Sequence, residues 1–257
     1  MIVTTVDFLG IGAQKCGTTW LYRQMSRHPQ IAFPRDKEVH YWDMSPHPDA
    51  DAWVASLQLP HQTSADGRRR LTGEITPAYA ILPRQRIHAI RSRCPEIRLF
   101  ISLRNPIERA WSAAIMALVR SGMTLAEASD QWFLDHFRSA ASRSRGDYAA
   151  CLEQWWSEFP RAQLLILFTE DIAARPSAVL EALAAHLAID DADFARLPNS
   201  VIREVVRPPT APTEQLANTP IRPSLVAPLI DMYADSIARL ARLIDRDISH
   251  WRTPPVA

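Results

Sequence analysis

Residues 3–20 read VTTVDFLGIGAQKCGTTW and decide the fold that the sequence predicts. Residues 3–12 are mostly apolar or β-branched and end at a glycine, which is typical of a buried strand that enters a tight turn. Thr18 and Thr19 are residue types that begin helices, and the apolar residues after them follow helical spacing, so a helix is predicted over about 18–28. A strand, a glycine-bearing loop and a helix in this order form the first half of a βαβ unit.

The loop within this stretch, GIGAQKCGTT, has the composition of an anion-binding turn. Gly17 allows the backbone to come close to a ligand, the helix that follows carries partial positive charge at its N-terminus, and Lys15 adds a full positive charge. Lys15 and Lys37 are the only lysines among the 29 Lys and Arg residues. The spacing matches neither the dinucleotide fingerprint GxGxxG nor the Walker pattern GxxxxGK(S/T). The residues favour a phosphate-binding loop over a plain βα turn without a ligand.

The rest of the chain alternates between predicted strands and helices. Short apolar runs predict further strands at 31–33, 70–75, 98–103 and 164–168. Helical spacing and proline positions predict helices near 53 and at 83–93, 106–120, 147–159, 176–187 and 224–244, and the proline-rich residues 196–223 are predicted to be a long loop or lid. This alternation predicts a single α/β domain over 1–257, with a P-loop-like parallel sheet flanked by helices on both faces. Its variable segments would be 44–70, 120–146 and 200–223.

Composition narrows the class of protein further. The 257 residues carry 29 Lys and Arg against 28 Asp and Glu, a net charge of +1, which argues against a basic nucleic-acid binder. The three cysteines and eight histidines show no metal-ligand spacing, and the sparse cysteines favour a reducing compartment. No stretch approaches the ~20 apolar residues that span a bilayer, and the N-terminus does not read as a signal peptide. The expectation is a soluble cytoplasmic protein without metal, membrane or nucleic-acid partners.

Two segments together resemble a known family. QKCGTTW (14–20) resembles the 5′-phosphosulfate loop of the sulfotransferases that use 3′-phosphoadenosine 5′-phosphosulfate (PAPS), and LRNPIERAWS (103–112) resembles their 3′-phosphate segment. PRDKEVHYWD (34–43), GEITPAY (73–79) and residues 148–172 are similar to the branch that includes heparan sulfate sulfotransferases and many bacterial enzymes. The likeness runs in the same order over about the first 190 residues.

The resemblance implies how the donor PAPS and its product, adenosine 3′,5′-bisphosphate (PAP), are bound. Arg104 and Ser112 would hold the 3′-phosphate, to which a guanidinium can bind in bidentate fashion. Trp20 matches a tryptophan that stacks on adenine, and Arg203 and Arg207 lie where the family often brings a basic loop over the 3′-phosphate. The 5′-phosphosulfate would lie on Lys15, Cys16, Gly17, Thr18 and Thr19. Lys15 would also stabilise negative charge on the departing 5′-phosphate.

The acceptor must lose a proton, so a base is expected as well. By matching position Glu38 is the first choice and His40 the second, and an extended backbone would project both to the same side. The non-catalytic alternatives are a solvated Glu38 carboxylate paired with Lys37 or Arg35, and a His40 imidazole that is hydrogen-bonded within the core. Related enzymes often have Lys within GEKTPAY where this chain has Ile75, so that role is missing here or is supplied by another residue.

The function predicted from these residues is in-line, metal-independent transfer of a sulfuryl group from PAPS to a small molecule or carbohydrate. The acceptor group would be a hydroxyl, or in second place an amine. Two alternatives stay open at this stage. One is a nucleoside or nucleotide kinase with a degenerate phosphate loop, and the other is a module that binds PAP without transferring anything.

Overall fold

A single parallel sheet organises the chain. The computed structural model describes residues 5–59, 63–204 and 219–253, and within them five strands pair in the order β2-β3-β1-β4-β5. Their bounds are β1 Phe8–Gly12, β2 Ile31–Ala32, β3 Leu71–Ile75, β4 Arg98–Leu103 and β5 Leu164–Phe168. All four pairings are parallel, so the predicted sheet is confirmed. The strands β2 and β3 lie on one side of β1, and the later strands β4 and β5 lie on the other. The carboxyl end of β1 is therefore the switch point, where ligands bind in open α/β sheets.

The central strands are buried along their length. Every residue of β1 is buried, and so is every residue of β4 except Arg98, as expected for a parallel sheet covered by helices. β1 begins at Phe8, later than predicted. Just before it, the Asp7 side-chain carboxylate accepts the Thr72 N–H of β3 at 2.8 Å, in place of a backbone carbonyl group. Residues 3 and 4 of the predicted strand lie outside the described residues.

Helices connect and flank the strands. They are α1 Thr18–Met25, α2 Tyr41–Met44, α3 Ala50–Ser56, α4 Arg84–Arg93, α5 Pro106–Arg120, α6 Asp130–Arg138, α7 Ala140–Gly146, α8 Tyr148–Trp156, α9 Thr169–Ala174, α10 Pro176–Leu187, α11 Ala192–Ala195, α12 Asn199–Ile202 and α13 Pro223–Ile244. Short 3-10 helices cover Pro77–Ile81, Arg161–Gln163 and Ser249–Arg252. The predicted helices α1, α3, α4, α5, α8, α10 and α13 are confirmed, and α1 ends three residues earlier than predicted. The segment predicted as a loop from residue 196 onward contains α12 instead.

The chain divides into two compact units. The first comprises the described residues of 1–103 and 154–205 and contains the whole sheet. Its core includes an aromatic group in which Phe8 contacts Phe33 edge to face at 5.4 Å between ring centroids. In the same unit, Trp42 and Trp53 meet edge to face at 5.4 Å, which fixes the short helices α2 and α3 against each other.

The second unit comprises the described residues of 104–153 and 206–257. Here α5 begins as predicted, with Pro106 in its first turn and the Asn105 carboxamide oxygen accepting the Ile107 N–H at 3.0 Å. The Arg109 guanidinium is fully buried and donates to the Ser142 carbonyl at 3.0 Å. None of the helices in the described ranges combines the length and the hydropathy that a membrane crossing requires.

Candidate active site

The loop after β1 has the backbone of an anion-binding turn. Lys15 and Gly17 have left-handed φ angles of 67° and 77°, and Gly17 directly precedes α1. The Ala13 N–H donates to the Ser102 carbonyl at 2.9 Å, which ties the loop to β4. A Cβ atom on Gly17 would lie 3.2 Å from Ile172, so α9 packs directly behind the turn. Glycine is therefore required here both by the backbone angle and by the close neighbour.

The first turn of α1 gives this loop its electrostatic character. The first four N–H groups of a helix have no partner within the helix, and they carry the positive end of the helix dipole. Gly17 stands at the position before the helix, where another residue type would place a capping side chain over these N–H groups. Lys15 lies half-buried in the same loop, and Thr19 is exposed at the start of the helix. This combination of backbone donors and an ammonium group can bind a phosphate or a sulfate group.

A carboxylate, an imidazole and a second carboxylate lie side by side in the segment before β3. The Glu38 Oε2 atom lies 3.5 Å from His40 Nε2, and His40 Nδ1 lies 2.8 Å from Asp43 Oδ2. The backbone is not extended here as predicted, because Glu38 and His40 both have left-handed φ angles, of 68° and 57°. The two side chains still meet. Sequence reasoning missed Asp43, whose spacing three residues after a histidine was the available signal.

Glu38 also has a basic partner. Lys37 Nζ contacts Glu38 Oε1, and the Lys37 side chain is only 13% exposed, so Lys37 belongs to this cluster rather than to its periphery. Burial raises the pKa of the Glu38 carboxyl, but the hydrogen bond and charge of Lys37, with further contributions from His40, outweigh it and hold the pKa below the usual range of a glutamate. The pairing with Lys37 that the alternative interpretation predicted is thus present, and it keeps Glu38 ionised.

His40 is partly open to solvent. Its side chain is 33% exposed, which rules out the alternative of a core imidazole. Together with Glu38, at 43% exposure, it forms an accessible face of the cluster. A carboxylate that is ionised, accessible and oriented by an imidazole can accept a proton from a bound hydroxyl or amine.

The cluster and the loop after β1 lie at the carboxyl ends of two adjacent strands, β3 and β1. The Glu38 N–H donates to the Ile75 carbonyl at the end of β3, at 3.1 Å, and Ile75 lies beside Gly10 of β1 in the sheet. A Cβ atom on Gly12 would lie only 2.9 Å from the Pro77 carbonyl oxygen, so the turn after β3 touches the end of β1. Both features therefore stand at the carboxyl edge of the sheet, at its switch point.

Three residues of the predicted donor site, Cys16, Thr18 and Trp20, are buried in the first unit. Cys16 is fully buried. Trp20 is 6% exposed, and its indole N–H donates to the Ile202 carbonyl of α12 at 2.8 Å. This burial leaves little of the Trp20 ring accessible for the predicted stacking on adenine.

Of the remaining predicted donor residues, Arg104 and Ser112 belong to the second unit and Arg203 to the first, and Arg207 lies in the undescribed part of the second. Arg104 follows the last residue of β4, and its Nε donates to Glu108 at 2.9 Å in an ion pair. Ser112 lies half-buried on α5. Arg203 is exposed at the end of α12, and Arg207 lies outside the described residues.

Comparisons with known proteins identify the class and then the family. The sulfotransferase domain family matches residues 6–196. The human bifunctional heparan sulfate N-deacetylase/N-sulfotransferase 2 is 28% identical over 206 residues, covering 71% of this chain and 22% of that protein. The crystal structure of a sulfotransferase from Alicyclobacillus acidocaldarius aligns with a TM-score of 0.70 at 26% identity, covering 97% of this chain and 100% of that one. The crystal structure of mouse sulfotransferase SULT7A1 complexed with PAP aligns with a TM-score of 0.60 at 15% identity, covering 93% and 88%.

These matches define a transferase of sulfuryl groups with a P-loop-like fold. The chain belongs to the sulfotransferase family, and the resemblance found in its sequence is confirmed. It spans 22% to 54% of the length of the first curated relatives that it matches. Membership of this family supports the sulfotransferase interpretation over the kinase interpretation.

Proposed function

We propose that the protein transfers the sulfuryl group of PAPS to a hydroxyl group of a small-molecule or carbohydrate acceptor. The observation that carries this proposal is the placement of the Lys15 loop after β1 and of the Glu38–His40 pair beside the carboxyl end of the adjacent parallel strand β3. One feature suits an anionic leaving group and the other suits removal of a proton. The mouse relative complexed with PAP supports the choice of donor.

The loop after β1 fits the 5′ end of the donor. Its left-handed turn presents backbone N–H groups of α1, and Lys15 supplies a mobile ammonium group. From the family resemblance we assign the 3′-phosphate to Arg104 and Ser112, with Arg207 as a further cation. In this assignment Arg104 exchanges its half-buried ion pair with Glu108 for the phosphate.

Glu38 removes the proton in this proposal. As the acceptor oxygen forms its bond to sulfur, the bond between sulfur and the 5′-phosphate oxygen breaks, and the acceptor proton passes to the Glu38 carboxylate. His40 fixes the Glu38 carboxylate from one side, and Asp43 fixes the His40 ring. Lys15 balances the charge that collects on the departing phosphate. None of these roles needs a metal ion.

Lys37 can supply the positive charge that related enzymes often have at the position of Ile75. The Ile75 side chain is fully buried in the sheet, and its carbonyl binds the Glu38 N–H. Lys37, next to Glu38 in the chain, therefore places an ammonium group beside the base without a lysine at 75. We assign the missing charge to Lys37.

The first experiment incubates the protein with labelled PAPS and panels of hydroxyl and amine acceptors, followed by mass spectrometry for a sulfate adduct, with and without a chelator. We expect adducts on hydroxyl acceptors whose yield the chelator does not change. Adducts confined to amines would contradict the acceptor assignment, and transfer that stops with the chelator would contradict metal independence.

A second experiment tests the donor itself by thermal stabilisation. A ligand that binds only the folded protein raises its melting temperature, so PAP should raise it more than ATP with Mg²⁺ at equal concentration. A larger shift with ATP and Mg²⁺ would overturn the choice of donor. A shift with PAP but no transfer to any acceptor would leave donor binding without the proposed chemistry.

A further inference from the structure

The segment that carries Glu38 and His40 rests on three polar side chains from β3 and the turn after it. We propose that Thr76 and Tyr79, anchored on the buried carboxyl group of Glu74, are positioning residues that set the backbone under His40. This inference rests on the proposed role of Glu38 and His40 in proton removal. It assigns a role to three residues that do not themselves reach the acceptor.

Glu74 forms the base of this network. Its side chain is 2% exposed, and it accepts hydrogen bonds from Trp53 Nε1 at 2.6 Å and from Thr76 Oγ1 at 2.7 Å. The Tyr79 hydroxyl donates to the same carboxyl group, at 3.1 Å from Oε1 and 3.3 Å from Oε2. A buried carboxyl group is costly unless it is hydrogen-bonded, and this one accepts from three different side chains.

The hydroxyl groups of Thr76 and Tyr79 connect Glu74 to the segment that carries Glu38 and His40. The Thr76 hydroxyl oxygen accepts the His40 N–H at 3.5 Å. The Tyr79 hydroxyl oxygen accepts the N–H groups of Tyr41 at 2.9 Å and of Trp42 at 3.2 Å. These N–H groups stand at the start of α2, where no helical partner exists. The hydroxyl groups act as the cap that the start of this helix requires.

The cap matters because α2 cannot hold its shape alone. It has four residues, far fewer than the roughly 12–15 that an isolated helix needs to be even marginally stable in water. His40, just before it, has a φ of 57°, an unfavourable angle for a residue with a Cβ atom. The angle persists because the surroundings fix the neighbouring peptide groups. Arg86 supports the other end of the segment by donating to the carbonyl groups of Trp42 and Ser45.

The carboxyl group at residue 74 is needed because of the direction of the hydrogen bonds. The hydroxyl groups of Thr76 and Tyr79 each have one hydrogen, and their oxygens already accept backbone N–H groups. Each hydroxyl therefore donates its hydrogen to Glu74. An apolar residue at position 74 would leave these buried donors without an acceptor, which is costly for each of them.

The test compares Tyr79→Phe, Thr76→Val, Thr76→Ser and Glu74→Gln with Thr72→Val as the matched control. Thr72 is buried in the same strand, and its side chain takes no part in the network. We expect kcat to fall about 10-fold in Tyr79→Phe, Thr76→Val and Glu74→Gln, because a displacement of the base lowers the rate steeply, while KM for PAPS changes less than about twofold. Thr76→Ser and Thr72→Val keep the wild-type kcat. Unchanged kcat in Tyr79→Phe, or equal losses in Thr76→Ser and Thr76→Val, would overturn the proposal.

A second readout does not depend on activity. Amide hydrogen exchange at Tyr41 and Trp42 should become about 10-fold faster in Tyr79→Phe, since both N–H groups lose their acceptor, and should stay unchanged in Thr72→Val. If the wild-type protein transfers no sulfuryl group, the proposed function fails while this exchange result still decides whether the network positions the segment. Equal exchange in wild type and Tyr79→Phe would refute the positioning role whatever the activity.

Discussion

The Oε2 atom of Glu38 lies 3.5 Å from the Nε2 atom of His40, although the two residues have left-handed backbone angles. Their contact makes the imidazole the group that orients the carboxylate. The other ring nitrogen of His40 lies 2.8 Å from Asp43, so the ring itself is held from behind. This order, carboxylate to imidazole to carboxylate, leads to a prediction for each end.

Removing the base itself should cost most of the activity. Glu38→Gln keeps the size of the side chain but cannot take a proton, so kcat should fall about 100- to 1,000-fold while PAP binding stays within about twofold of wild type. Steady-state kinetics and a PAP titration measure the two quantities. A variant with more than about a tenth of the wild-type kcat would remove Glu38 from the role of base.

The far end of the chain of contacts should have a smaller effect. Asp43→Asn replaces one acceptor for the His40 ring by an amide that can turn a donor toward it, so kcat should fall about 10-fold as the ring loses its orientation. Asp51→Asn is the control, because the Asp51 side chain is 82% exposed and pairs with Arg93 on the surface. Equal kcat in Asp43→Asn and Asp51→Asn would show that Asp43 does not orient His40.

Lys37 should control the acidic side of the pH profile. Burial raises the pKa of Glu38, while Lys37 and His40 together lower it by more, so loss of the ammonium group in Lys37→Met must raise that pKa. A base works when deprotonated, so the acidic limb of the plot of kcat against pH should move to higher pH. The limb is located by kinetics at a series of pH values in buffers of constant ionic strength. A limb that stays in place or moves to lower pH would contradict this assignment of charges.

The loop after β1 gives a prediction that separates backbone strain from ligand binding. Gly17→Ala forces a Cβ atom into a φ of 77° and to 3.2 Å from Ile172, whereas Gly67→Ala meets a similar φ of 81° with open space around it. Both variants should lose about 1 kcal/mol of unfolding free energy. Only Gly17→Ala should also weaken PAP binding, by more than about 10-fold in a calorimetric titration. Equal PAP affinity in the two variants would show that the donor does not bind at this loop.

The sequence predicted the parts of the fold that depend on local patterns. β1, the glycine turn and α1 follow from apolar spacing and from Gly17 and the threonines, all within one short stretch. β5 is a continuous apolar run and β4 is mostly apolar, and Pro106 marks the start of α5. These signals act over a few residues, and distant contacts do not change them.

The geometry of the site depended on distant contacts and was beyond local reasoning. The left-handed angles of Glu38 and His40 arise where the backbone binds Ile75 and Thr76, more than 30 residues further along the chain. The short helix α2 is stabilised by the Tyr79 hydroxyl at its start. Its sequence has no helical periodicity from which the helix could be predicted. The burial of Trp20 under α12 likewise reflects a contact across 182 residues. Residue identities at the site could be read from the sequence, whereas their angles and partners could not.

Two glutamates, the buried Glu74 and the partly buried Glu158, have pKa shifts of opposite sign. Burial raises the pKa of Glu74 above its usual range, more than its hydrogen bonds to Trp53, Thr76 and Tyr79 lower it. Stability from such a group is complete below the pKa of the unfolded chain and is lost as pH rises through the higher folded pKa. Hydrogen bonds from Arg84 and His88 lower the pKa of Glu158, so its stability is present at neutral pH and is lost as pH falls through the folded pKa.

Urea unfolding at a series of pH values between about 4 and 8 measures both effects as changes in the free energy of unfolding. Glu74→Gln removes a group that costs stability as pH rises, so its loss relative to wild type should shrink toward higher pH. Glu158→Gln removes a group that adds stability as pH rises, so its loss should grow over the same range. The two difference curves must therefore slope in opposite directions. Parallel slopes would mean that Glu74 titrates like an exposed carboxyl group, and the hydrogen-bonded anchor beneath His40 would not be buried as described.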